Sequence, residues 1–131
     1  MKLKSLLLIV YLLMYGQSFA HSVQHFHPQE KPEDKSLFPA YCLIEIYNNS
    51  YEDFTVYGEF DDGARLRPFN VYSFEAPHYV SLFYYRYCHR DMFLTIVSFG
   101  GYTVYSDYTP ANSTIVINNY LTQPKAELQI K

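Results

Sequence analysis

From Tyr41 onward, apolar and polar residues alternate in short runs, and clusters of turn residues separate the runs. Successive side chains of an extended chain point to opposite faces, so this pattern specifies strands with one buried face. "AYCLIEIYN" sets Cys42, Ile44 and Ile46 against Leu43, Glu45 and Tyr47. "DFTVYGEF" sets Phe54, Val56 and Phe60 against Thr55, Tyr57 and Glu59, and "DDGA" turns the chain. "LRPFNVYSF" carries Pro68, which has no N–H to give a ladder and so marks an edge or a bulge. "DMFLTIVSF", the turn "GG", "YTVYSDY" and "STIVINN" continue the series. "KAELQIK" closes it, with Ala126, Leu128 and Ile130 expected to face inward. No helical period interrupts the runs. The expectation is an all-β domain over residues 41–131: an antiparallel β-sandwich of immunoglobulin-like architecture, or a small barrel, of about seven or eight strands.

The chain before these runs has a different character. Lys2 and Lys4 precede an apolar run from Leu6 to Met14, and small residues stand at Ser18 and Ala20. That arrangement is a secretory signal peptide over residues 1–20, cleaved after Ala20, and the run is too short for a stable membrane anchor. Export to a periplasm or the extracellular space is therefore expected. Without Lys2 and Lys4 the basic residues fall from 10 to 8 against 13 acidic ones, a net charge of −5. An acidic chain is a poor partner for nucleic acid. Residues 21–40 hold three prolines, five charges and no periodicity, and are expected to form a flexible arm.

Cys42 and Cys88 are the two cysteines of the chain. In an oxidising compartment a lone pair reads as one disulfide, and there is no CxxC spacing to suggest redox thiols. The bridge would close a loop of about 47 residues, worth about 4 kcal/mol of chain entropy. The immunoglobulin template can be tested against this pair. Such domains bury a Trp beside the bridge and place a Tyr two residues before the second Cys. This chain has no Trp, and Arg86 stands at that position. The similarity is confined to architecture, and no family follows from it.

No catalytic signature is present: neither GxSxG, HExxH, a P-loop nor a dinucleotide fingerprint occurs. "HRD" at His89–Asp91 stands alone, without the rest of the kinase set. The pairs Glu52/Asp53 and Asp61/Asp62 adjoin turns, where Asp bonds its own backbone. Asn48 in "NNS" and Asn112 in "NST" match the N-glycosylation pattern, both in expected loops. The expected class is thus a non-catalytic binding domain.

Two features are candidates for binding. If the half-cystines point inward on "HYVSLFYYRYC", so do Val80, Leu82 and Tyr84, leaving Tyr79, Phe83, Tyr85 and Tyr87 on the opposite face. A row of rings on a sheet suits a protein or glycan partner. Arg86 breaks this phase and requires a bulge or a rim position. The second feature is "HSVQHFH". Cleavage after Ala20 would make His21 the first residue, its α-amino group and imidazole a chelating pair, with His25 or His27 as a further ligand for copper or zinc. In that one position the chain resembles secreted copper enzymes of the lytic polysaccharide monooxygenase type and some periplasmic copper carriers. The metal reading is the alternative to a binding domain without cofactor.

Overall fold

A computed structural model of the chain describes residues 23–30 and 42–131. The expected signal peptide, residues 21–22 and 31–40 of the arm, and Tyr41 lie outside them. The described chain is all-β, with eleven strands and no α-helix. They are β1 (Val23–His25), β2 (Leu43–Asn49), β3 (Phe54–Glu59), β4 (Arg65–Val71), β5 (His78–Ser81), β6 (Phe83–Tyr84), β7 (Tyr87–Cys88), β8 (Asp91–Ser98), β9 (Thr103–Pro110), β10 (Ser113–Asn118) and β11 (Lys125–Ile130). One sheet has the order β1-β5-β2-β10-β11, a second β4-β3-β8-β9, and β6 pairs with β7 alone.

The alternation read from the sequence is what fills the core. Ile44 and Ile46 of β2, Val80 of β5 and Ile115 and Ile117 of β10 enter it from the first sheet. Phe54 and Val56 of β3, Leu66 and Val71 of β4, and Met92, Leu94 and Ile96 of β8 enter it from the second. Gly58 is closely packed: a Cβ there would stand 2.7 Å from Met92 Cε and 3.0 Å from Leu94 Cδ2, so those side-chain ends would have to move to admit it. Pro68 meets both conditions set by its missing N–H. β4 is an edge strand, and its ladder with β3 slips between Val56 and Gly58, leaving Arg67 and Pro68 opposite Tyr57.

Several expectations need correction. The pairing is not wholly antiparallel, because β10 runs parallel to β2 and β1 parallel to β5. Hairpin-linked strands must be antiparallel, but long connections leave either direction open. Both larger sheets end in edge strands, so no closed barrel forms. β11 is in phase with the core, Leu128 standing opposite Ile115, yet Leu128 and Ile130 are exposed. As an edge strand it has a neighbour on one side only. Asn48 is not in a loop; it is wholly buried in β2. Its amide donates to the carbonyls of Glu52 (2.7 Å) and Val71 (3.2 Å), and its oxygen accepts from Ser50.

The arm is docked where it is described. β1 extends the first sheet beyond β5, and His27 is buried. His25 stacks on Phe69 of β4 at 3.4 Å. Residues 23–30 thus span from the edge of one sheet to the edge of the other. Their apolar and aromatic partners supply the burial that the arm's own composition lacked.

Cys42 and Cys88 form the expected disulfide, with Cα atoms 5.8 Å apart. It ties β7 to the start of β2.

Candidate functional site

The run "HYVSLFYYRYC" is not one strand. β5 ends at Ser81, and Leu82 is held by its N–H to the Cys42 carbonyl and by its carbonyl from the His89 N–H, each 2.9 Å. Then β6 and β7 fold into a hairpin in which Tyr84 pairs with Tyr87 across two residues, Tyr85 and Arg86. Both have left-handed backbone, φ 52° and 68°. Two-residue loops of this kind match the twist of a hairpin, and Asn-Gly is the usual occupant because side chains resist positive φ. Tyr and Arg there cost about 1–2 kcal/mol each. The turn, rather than a bulge, explains why Arg86 breaks the alternation.

Three things hold this strained tip. The disulfide anchors β7. The Tyr85 N–H donates to Glu30 of the arm at 3.1 Å. The third is a column of rings. His27 stacks on Tyr84 (4.2 Å), Tyr84 on His89 (3.6 Å) and His89 on Tyr87 (4.0 Å). The turn between β3 and β4 supplies carboxylates to this column. Asp61 accepts from His89 Nδ1 at 2.8 Å and from the Tyr84 hydroxyl. Asp62 accepts from His27 Nε2 at 2.8 Å and from the Ala64 N–H at 2.9 Å. Burial alone would raise the Asp61 carboxyl, but the bonds from Tyr84 and His89 hold it below the usual range. The Ala64 N–H and then His27 do the same for Asp62. Burial and Asp61 push the Tyr84 hydroxyl strongly upward, so it stays a donor.

His27, His78 and His89 each have both ring nitrogens engaged within the protein. His27 Nδ1 accepts the Gln29 N–H at 3.1 Å while Nε2 donates to Asp62, which specifies one neutral tautomer with no lone pair to spare. His89 faces two acceptors, Asp61 and the Tyr84 carbonyl (3.1 Å), and only a doubly protonated ring makes both bonds. His25 Nε2 meets His78 Nδ1 at 2.8 Å, and His78 Nε2 meets Glu75 at 2.6 Å. Burial, then the charge of His78, lowers the His25 imidazole to about 4.

The nominated residues therefore separate. Tyr79 lies on β5, opposite Glu45 and Gln24 in register. Phe83 is half-buried against the core. Tyr85 and Tyr87 are exposed, 53 % and 56 %, on the hairpin. Of the histidines proposed for metal, His25 and His27 reach different partners, and His21 is outside the described residues. Among the described residues no three His, Cys, Asp or Glu are placed to hold a metal ion.

The sequence reasoning missed two groups that meet the arm: Tyr84, His89, Asp61 and Asp62 around His27, and His78 with Glu75 beside His25. The only signal for the first was two acids at a turn and a histidine beside a cysteine. A further group was missed as well. Tyr51, Tyr72, Phe74 and Phe99 are exposed in the loops around Ser50–Asp53, Tyr72–Glu75 and Phe99. Tyr51 meets Phe74 and Tyr72 meets Phe99 edge to face. No family model, curated protein or solved structure matches the chain.

Proposed function

We propose that this is a small exported, non-catalytic binding domain, its two larger sheets packed face to face as a sandwich. Its principal contact is the β6–β7 hairpin, and export follows from the signal peptide expected over residues 1–20. The observation that carries the reading is the left-handed backbone at Tyr85 and Arg86 together with their exposure. Strain of this kind persists where the surroundings over-determine it, and it clusters at functional positions. Here a disulfide, the arm and a stacked column hold Tyr85, Arg86 and Tyr87 outward. Tyr and Arg are the residues that most often dominate binding energy, and a pre-set loop loses little entropy on binding. A catalytic use of the histidines finds less support, since each of His27 and His89 has both nitrogens engaged within the protein.

The test is comparative capture. The folded chain and its Arg86→Gly/Tyr87→Ala variant are immobilised and exposed to surface and secreted material of the source. Bound species are identified by mass spectrometry. A partner retained by the first and lost by the second, with the variant still cooperatively folded, supports the reading. Identical bound material on both sinks it.

A further inference from the structure

On the outer face of the four-stranded sheet a cleft of about 490 Å³ opens beside the slip in the β3–β4 ladder. Tyr57 and Phe93 wall it, 46 % and 36 % exposed, and Glu59, Arg65, Pro68 and Thr95 complete the rim. The register explains the shape. Tyr57 stands opposite Thr95, and Glu59 opposite both Phe93 and Arg65. Arg67 and Pro68 share one position of the partner strand, opposite Tyr57, and the cleft lies beside this bulge. Bulges of this kind re-aim side chains beside binding sites. A second hollow of about 220 Å³ adjoins it, lined by Asp61, Asp91 and Tyr108 and sharing Glu59 and Phe93 with the first. Tyr108 packs edge-to-face on Phe93 at 5.1 Å, which fixes the ring that stands between the two hollows.

We propose that this double hollow is a binding site for a neutral oligosaccharide of at least two rings. A sugar ring has an apolar C–H face and a rim of hydroxyls. The exposed rings of Tyr57 and Phe93 offer the apolar surface. Glu59 and Arg65 face each other across adjacent strands yet form no ion pair with one another among the described residues. The carboxylate is free to accept from hydroxyls and the guanidinium to donate to them. Their charges cancel in the larger hollow, which disfavours an anionic ligand. The larger volume falls within the ~300–1,000 Å³ of small-molecule sites. Two hollows on either side of one ring call for a ligand of repeated units. Asp61 lines the smaller hollow and also accepts from Tyr84 and His89 beneath the hairpin, but Tyr57, Phe93, Glu59 and Arg65 stand outside that network, so the larger hollow is tested apart from the hairpin.

The probes are cellobiose, maltose, lactose and diacetylchitobiose, titrated into the full ¹⁵N-labelled chain to about 10 mM, enough to saturate a millimolar site. A proline-rich decapeptide is titrated in parallel, since such peptides also lie on aromatic grooves. The expected result is saturable shifts at the Gly58, Glu59, Phe93 and Thr95 amides with at least one disaccharide. Phe93→Ala, a change on the outer face, weakens that binding roughly tenfold or more. Tyr57→Ala weakens it as well, and both variants keep the wild-type fold. Absence of shifts with every sugar overturns the proposal. So does binding of the peptide alone, or a sugar response unaffected by both variants. A response confined to Tyr85–Tyr87 overturns it too, while favouring the hairpin.

Discussion

Acidification should loosen the arm through His25. Its ring lies on Phe69 with His78 alongside, and burial and His78 lower its imidazole from 6.5 to about 4. Above 6.5 the ring is neutral in both folded and unfolded chains, so its contribution to stability is fully present. Between 6.5 and about 4 the unfolded chain binds a proton that the docked ring refuses, and stability falls as pH falls. Below about 4 the contribution is gone. At full value the displacement corresponds to about 3 kcal/mol at 1.36 kcal/mol per pH unit. The ring is only partly shielded, and solvent screening reduces this to about 1–2 kcal/mol. For a domain of this size that is a fall in melting temperature of roughly 5–10 °C. The assay is thermal unfolding by circular dichroism from pH 7 to pH 4, for the wild type and His25→Phe. Phe can stack on Phe69 without titrating. Asp61 and Asp62, whose carboxyls are held low, lose their native pairing only in more acid solution, and do so in both proteins. If the two proteins lose stability in parallel between pH 6.5 and 4, the docking account of His25 is wrong.

Other expectations follow from the same packing. Arg86→Gly removes left-handed strain from an exposed position and should raise stability by about 1 kcal/mol, read from the urea midpoint. Gly58→Ala drives a Cβ against Met92 and Leu94 and should cost about 1–3 kcal/mol in the same assay, whereas an unchanged midpoint would mean that the core yields freely. Asn48→Ala removes the amide donor to the buried Val71 carbonyl and the acceptor of the buried Ser50 N–H, and should cost about 2–4 kcal/mol, making this sequon a structural position rather than an accessible acceptor. Reduction of Cys42–Cys88 should cost about 4 kcal/mol, and alkylation without reductant should label neither thiol.

Much of the core was legible because a period of two needs only local information. Each residue's face follows from its neighbours, and Ile44, Ile46, Phe54, Val56, Val80, Leu82 and Tyr84 are buried as the alternation requires. The disulfide followed from the cysteine count and the expectation of export, and Pro68 at an edge and a bulge from its missing N–H. Strand direction and sheet order were not legible. The parallel pairing of β10 with β2 depends on where distant segments meet, which no local pattern records. Two further outcomes belong to tertiary structure alone. The sequence showed an arm too polar to bury itself, but burial of His27 comes from Phe60, Tyr84 and Asp62, far along the chain. The sequence likewise placed Tyr85 and Tyr87 on one strand face, and the structure sets them on a hairpin tip. Positive φ at Tyr85 and Arg86 runs against their intrinsic preference, so only the disulfide, the arm and the ring column could impose it.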